Sequence, residues 1–145
     1  MPSWVSDGFA TYQQRLPKHF YPALIEVPAV TRSATMPVDL AMQREGQKML
    51  KYIQPEYHVV ALDEHGKQWT SKQLASEMEG WQHEYQQVCF LIGGADGLSP
   101  ECKARANQTW SLSRLTLPHS MVRVQLAEQI YRGWTILQGH PYHRE

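Results

Sequence analysis

The sequence predicts an α/β domain with a mostly parallel sheet and helices on both faces. Three observations carry this: apolar residues recur at helical spacing in several segments, short β-branched or wholly apolar runs lie between them, and the most apolar run opens into glycines. The 145 residues, 42% of them hydrophobic, suit one domain with a single core over residues 1–145.

Val5, Phe9, Tyr12 and Leu16 stand at i, i+4, i+7 and i+11, one stripe of a first helix that Pro17 stops. Residues 23–27 read as a short strand, and residues 28–37, proline at both ends and without apolar period, as an exposed loop. Val38, Met42, Glu45, Met49 and Ile53 mark a second helix, closed before Pro55. Residues 59–62 form a strand ending in the turn-forming Asp63-Glu64-His65-Gly66. Ser71 is placed to cap a third helix with Leu74, Met78, Trp81 and Tyr85 along one side. Val88–Ile92 is apolar throughout, as a central strand covered on both faces should be, and runs into Gly93-Gly94-Ala95-Asp96-Gly97. Ser99-Pro100 opens a short helix to about residue 107, since the hydroxyl can accept a free amide and proline wastes no donor at the first helical position. Residues 115–117 read as a brief strand. A long helix comes next over His119–Leu137, with Val122, Leu126, Ile130, Trp134 and Leu137 on one side, and then a polar and aromatic tail.

Composition narrows the function classes. The longest apolar run, Val88–Ile92, is far shorter than the roughly 20 residues of a membrane-spanning helix. The Met1-Pro2-Ser3-Trp4 start has no basic region followed by an apolar stretch, so neither export nor a membrane is expected. Cys89 and Cys102 form no CxxC and read as reduced, structural thiols, in keeping with a cytoplasmic protein. Zero net charge speaks against a uniformly basic nucleic-acid binder. Residues 1–98 nevertheless carry eight Lys/Arg against eleven Asp/Glu, a net of −3, while residues 99–145 carry six against three, a net of +3. The positive potential of the C-terminal third, which also holds His119, His140 and His143, points weakly toward RNA.

In such sheets ligands bind at the carboxyl ends of the strands, so the loops after Leu62, Ile92 and Leu117 are the ones to inspect. The glycine loop after Ile92 would let a ligand approach the backbone closely, and a tight structural turn would use the same residues. It matches neither GxGxxG nor GxxxxGK[ST], so no dinucleotide or nucleoside triphosphate is implied. GxSxG and HExxH are absent, and His140 and His143 lack a third ligand, which excludes the common hydrolases and gives no metal site. Hydroxyl and apolar residues interleave in Trp110-Ser111-Leu112-Ser113-Arg114-Leu115-Thr116-Leu117-Pro118-His119, a pattern a half-buried strand also shows. Pro141-Tyr142-His143-Arg144 places a stacking ring, an imidazole and a guanidinium together, suited to gripping a base and its phosphate if the tail is ordered.

Four of these stretches also carry a resemblance. Phe90-Leu91-Ile92-Gly93-Gly94-Ala95-Asp96-Gly97-Leu98-Ser99, Trp110-Ser111-Leu112-Ser113 with Leu115-Thr116-Leu117-Pro118-His119, Glu128-Gln129-Ile130-Tyr131-Arg132 and His140-Pro141-Tyr142-His143-Arg144-Glu145, in that order, closely resemble the bacterial large-subunit rRNA pseudouridine N3-methyltransferases, the RlmH family of the SPOUT class. The likeness spans essentially the whole chain. It implies a deep C-terminal trefoil knot, an exception to the rule against threaded connections. It implies S-adenosylmethionine as methyl donor, with S-adenosylhomocysteine as product, its adenosine held by Leu62, Gly93, Leu112, Ser113, Arg114, Leu115, Thr116 and Leu117, largely through backbone groups.

The reaction implied is methyl transfer to N3 of a pseudouridine in 23S rRNA, by a homodimer working on the large subunit or the assembled 70S ribosome. Tyr142, His143 and Arg144 are then catalytic: Arg144 on RNA phosphate or the developing base anion, Tyr142 stacking or orienting, His143 as proton acceptor. Arg132 is a further candidate for the RNA surface. A non-catalytic knotted rRNA binder and a knotted tRNA enzyme are the alternatives. The resemblance also implies that this chain lacks the family's short first strand, which precedes the equivalent of Met1-Pro2-Ser3-Trp4-Val5. Gly133 replaces a usual alanine in the last helix, at an expected cost of about 1 kcal/mol.

Overall fold

The computed structural model describes residues 1–31 and 33–144; the side chains of His143 and Arg144 lie outside the described set. The chain divides into two compact units. One comprises Met1–Leu24, Trp69–Glu84 and Leu117–Glu145, the other Ile25–Gln68 and Tyr85–Thr116.

The second unit holds the sheet. Its strands are β1 (His58–Gln68), β2 (Val88–Ile92) and β3 (Gln108–Ser111), in the order β2-β1-β3 and parallel throughout, as expected, but with β1 at the centre: Val88–Ile92, expected there, is an edge strand, half-buried except at Leu91. Alternate residues of a strand share a face. Val59 and Ala61, with Leu91, accordingly pack into one buried cluster with Leu98 and Cys102, and Met49, Leu50 and Ile53 close over it. Two helices supply that cover, α2 (Val38–Leu50) and α4 (Pro100–Arg105). Their approach depends on Gly46 of α2. A Cβ there would collide with the Ser99 hydroxyl and lie 3.2 Å from the Cys102 sulfur. The space left free lets Ser99 Oγ cap α4 by accepting from the Cys102 amide at 3.2 Å. Both cysteines are free thiols, and burial pushes both above the ordinary thiol value, so they stay protonated and unreactive.

The first unit is helical: α1 (Ser3–Gln13), α3 (Ser71–Glu84) and α5 (His119–Leu137). Val5, Phe9 and Leu16 are buried as the stripe predicts, and so are Leu74, Met78 and Trp81. Gly133, an anomaly in the sequence, has a packing reason. The Met78 thioether occupies the place a Cβ would take.

Several expectations need correction. Residues 23–27 form no strand, and Ile25 is exposed. The last strand is Gln108–Ser111 rather than residues 115–117, because hydroxyls take over the backbone after it. Ser111 Oγ donates to the Ser113 carbonyl at 2.7 Å, and Ser113 Oγ accepts from the Leu115 amide at 2.9 Å, local bonds that compete with a sheet ladder. The cap of α3 is Thr70, not Ser71: Thr70 Oγ1 accepts from the Gln73 amide at 3.1 Å, and Gln73 Oε1 from the Thr70 amide at 2.8 Å, a reciprocal box. β1 does not stop at the turn cluster. Leu62 and Lys67 both pair with Trp110, so residues 63–66 bulge out and the strand resumes.

Candidate functional site

The sheet register brings three loops to one edge. Leu62 is paired with Ile92 on one side and Trp110 on the other, so β2 and β3 end almost level with the point where β1 bulges. Because all three are parallel, their outgoing segments leave from the same carboxyl edge: the bulge after Leu62, the glycine loop after Ile92, and residues 112–116 after Ser111. Gly93 is half-buried at the root of its loop, where a Cβ would stand 2.6 Å from the Gly97 carbonyl carbon and 2.8 Å from the Leu98 amide nitrogen. Gly97 closes the turn at φ +84°, its amide bonded to the Gly94 carbonyl at 3.1 Å. Only glycine fits either place.

Leu112 and Ser113 are half-buried, whereas Arg114, Leu115 and Thr116 are exposed, Leu115 at 73%. The bulge holds this stretch. Thr116 Oγ1 donates to Glu64 Oε2 at 2.7 Å, and the neighbouring Asp63 pairs with Lys103 at 3.4 Å. Leu117, next in sequence, is half-buried and begins the last segment of the helical unit.

The tail is anchored within that helical unit. α5 ends in a Schellman motif: Gly139 takes φ +71°, the His140 amide bonds the Thr135 carbonyl at 2.8 Å and the Gly139 amide the Ile136 carbonyl at 3.2 Å. Pro141–Arg144 then forms a 3-10 turn that sets Tyr142 against α5. The Tyr142 ring meets Tyr131 edge-on at 4.7 Å, and its hydroxyl donates to Glu128 Oε2 at 2.9 Å. Arg132 grips the same carboxylate, Nη2 at 3.0 Å and Nε at 3.1 Å from Oε2, and its guanidinium lies 5.0 Å from the Tyr142 ring centre. Burial first, and then the hydrogen bond to Glu128 and that carboxylate's charge, hold the Tyr142 phenol well above the usual tyrosine range. It is therefore a hydrogen-bond donor at neutral pH and not a base. Arg132, expected to face RNA, has its charge balanced within the chain. His143 and Arg144 fall on side chains outside the described set.

Among the described residues no group of His, Cys, Asp or Glu could hold a metal ion, and no helix is long and apolar enough to cross a membrane. The family model described as "Predicted SPOUT methyltransferase" matches residues 1–143. The chain belongs to the SPOUT methyltransferase family. Its relatives include proteins named Ribosomal RNA large subunit methyltransferase H. That of Marinomonas sp. (strain MWYL1) is 51% identical over 144 residues, 99% of this chain and 93% of the relative. That of Hahella chejuensis (strain KCTC 2396) is 51% identical over 145 residues, 100% of this chain and 93% of the relative. That of Pseudomonas putida (strain W619) is 46% identical over 144 residues, 99% of this chain and 93% of the relative.

Two residues that sequence reasoning did not single out hold the tail and the stretch after β3 in place. Glu128 is one, and its signal was the i, i+4 pairing with Arg132 on one helix face. Glu64 is the other. It lay in the turn cluster, but nothing in the sequence connects it to Thr116, 52 positions on.

Proposed function

We propose that this SPOUT methyltransferase, as one catalytic domain over residues 1–145, transfers a methyl group from S-adenosylmethionine to N3 of a pseudouridine in 23S rRNA. It does so as a cytoplasmic homodimer acting on the large subunit or the assembled 70S ribosome, with its C-terminal third tied in a trefoil knot. One observation supports the reading above others: Leu62, Gly93 and the stretch from Leu112 leave one carboxyl edge of a parallel sheet, where such sheets bind ligands. The names of the relatives give the rRNA of the large subunit as the substrate class.

The residues present fit the cofactor. Leu62 and Leu112 keep part of their apolar surface open and Leu115 most of it, as flanks for an adenine need. The main chain of Gly93 and of residues 112–117, free of a regular ladder, is suited to read the base's edge. When bound, S-adenosylmethionine supplies an electrophilic methyl on a sulfonium and leaves as S-adenosylhomocysteine.

The protein's task is to place N3 in line and dispose of its proton, since an imide N–H is a poor nucleophile while protonated. Tyr142, held protonated by burial and Glu128, orients or stacks the base. By the family resemblance, His143 is the proton acceptor and Arg144 the partner of RNA phosphate or of the base anion. Arg132, clamped to Glu128, serves the RNA surface by holding the tail in place.

Calorimetric titration with S-adenosylmethionine, followed by labelled methyl transfer to 70S ribosomes, tests the proposal. Binding with transfer to pseudouridine N3 is expected. Absence of cofactor binding overturns it, and binding without transfer to rRNA overturns the substrate in favour of tRNA or of a non-catalytic binder.

A further inference from the structure

The two ends of the helical unit meet at a group of tyrosines, and the positive charge there comes from the N-terminal part of the chain. Residues 8–25 contain no Asp or Glu but carry Arg15, Lys18 and His19, interleaved with Tyr12, Phe20 and Tyr21. Arg15 lies just past the last turn of α1, exposed, its guanidinium 5.5 Å from the Tyr12 ring centre and 5.6 Å from that of Tyr131. Tyr131 is the ring on which Tyr142 rests. Among the described residues no carboxylate pairs with Arg15 or Lys18, in contrast to Arg132.

The segment after α1 is also built. Phe20 and Tyr21 close a 3-10 turn on Pro17 and Lys18 through amide bonds of 3.0 and 3.3 Å, and Gln13 Nε2 donates to the Pro22 carbonyl at 2.6 Å, bracing the turn against the helix. It presents Lys18 and His19 to solvent and leaves Tyr21 half exposed.

We infer that Arg15, Lys18 and the tyrosines beside them form an RNA-docking surface continuous with the C-terminal tail, Arg15 and Lys18 on backbone phosphates and an exposed ring available to an unstacked base. Unbalanced cations interleaved with rings are what single-stranded and looped RNA recognises. Stacking on Tyr12 and Tyr131 orients the Arg15 guanidinium beforehand, so less freedom is lost when a phosphate arrives. The inference rests on the proposed rRNA substrate, and it assigns to α1 and its turn a role that charge counting gave to the C-terminal third.

The test is Arg15→Gln with Lys18→Gln in the full chain, assayed by methyl transfer to 70S ribosomes over a range of salt. The expected result is a rise in KM for ribosomes of about tenfold, with kcat and S-adenosylmethionine affinity unchanged. The slope of log KM against log salt should shrink by about 1.5, the share of two phosphate contacts. Arg15→Lys, which keeps the charge, should keep the slope. An unchanged KM and slope overturn the inference. So does a KM rise matched by a lower melting temperature and weaker cofactor binding, which marks a purely structural role. If the parent protein transfers no methyl to ribosomes, the functional reading is what fails. Salt-dependent filter binding of a pseudouridine-containing stem–loop RNA then decides the surface: weaker binding by the double variant supports it, equal binding by both proteins overturns it.

Discussion

Glu128→Ala should loosen the tail, and its effect should depend on Tyr142. The carboxylate accepts the Tyr142 hydroxyl at 2.9 Å and Arg132 at 3.0 and 3.1 Å, with the Arg132 and Glu128 side chains only 18% and 16% exposed. Breaking a fully buried pair costs about 3–5 kcal/mol, and the residual exposure lowers this toward about 2–3 kcal/mol. Tyr142→Phe removes one hydrogen bond to a charged acceptor, about 1.5 kcal/mol. With Glu128 gone, the Tyr142 hydroxyl has no acceptor there to lose, so the double variant should fall short of additivity by about 1–2 kcal/mol. Urea unfolding of the four proteins at one protein concentration measures this cycle, the fixed concentration removing any contribution from self-association. Additivity within about 0.5 kcal/mol would refute the clamp.

Three further outcomes are expected from the geometry. The folded state holds Tyr142 above the ordinary tyrosine value of about 10, so its stabilising contribution is complete below that pH and declines as pH rises above it. Unfolding free energies from about pH 9 to 11 should show that decline in the parent, and Tyr142→Phe should lose it. Gly93→Ala pushes a methyl into the Gly97 backbone, which flexible side chains cannot relieve. It should cost about 1–3 kcal/mol and weaken S-adenosylmethionine binding, read together by thermal melting and calorimetry. Gly133→Ala should not deliver the about 1 kcal/mol that helix propensity promises, because it displaces the Met78 thioether. Met78→Val in the same chain should release that gain, and equal melting-temperature changes in both backgrounds would count against the contact.

Much of this was legible in the sequence for local reasons. The helices announced themselves because Val5, Phe9 and Leu16, or Leu74, Met78 and Trp81, fall on stripes that the core then buries. The edge where the three loops gather was legible because the apolar run Val88–Ile92 opens directly into glycines, which end a strand in a close turn. Where the reading failed, a nearby side chain had changed the backbone's options. Ser111 and Ser113 end β3 by bonding the main chain two residues on, and an apolar and β-branched run at residues 115–117 therefore goes unpaired. Tail docking was illegible because Glu128 and Tyr142 are 14 positions apart across a chain reversal that only Gly139 hints at.

The bulge of β1 also bears on how such a protein can change over time. Leu62 and Lys67 share one partner, so the excursion between them leaves the register of either flank untouched. Insertions or replacements among residues 63–65 can thus be sampled without turning the core faces of Val59 and Ala61 outward, whereas a single deletion between Val59 and Leu62 would turn them. The freedom has one boundary. Gly66 re-enters the sheet where a Cβ would stand 2.8 Å from the Trp110 amide nitrogen, so that position must stay glycine while its neighbours diverge. Variation in the family should therefore gather on the strip that carries Asp63 and Glu64, at the carboxyl edge of the sheet, leaving the strands fixed while the grip on Thr116 is rewritten.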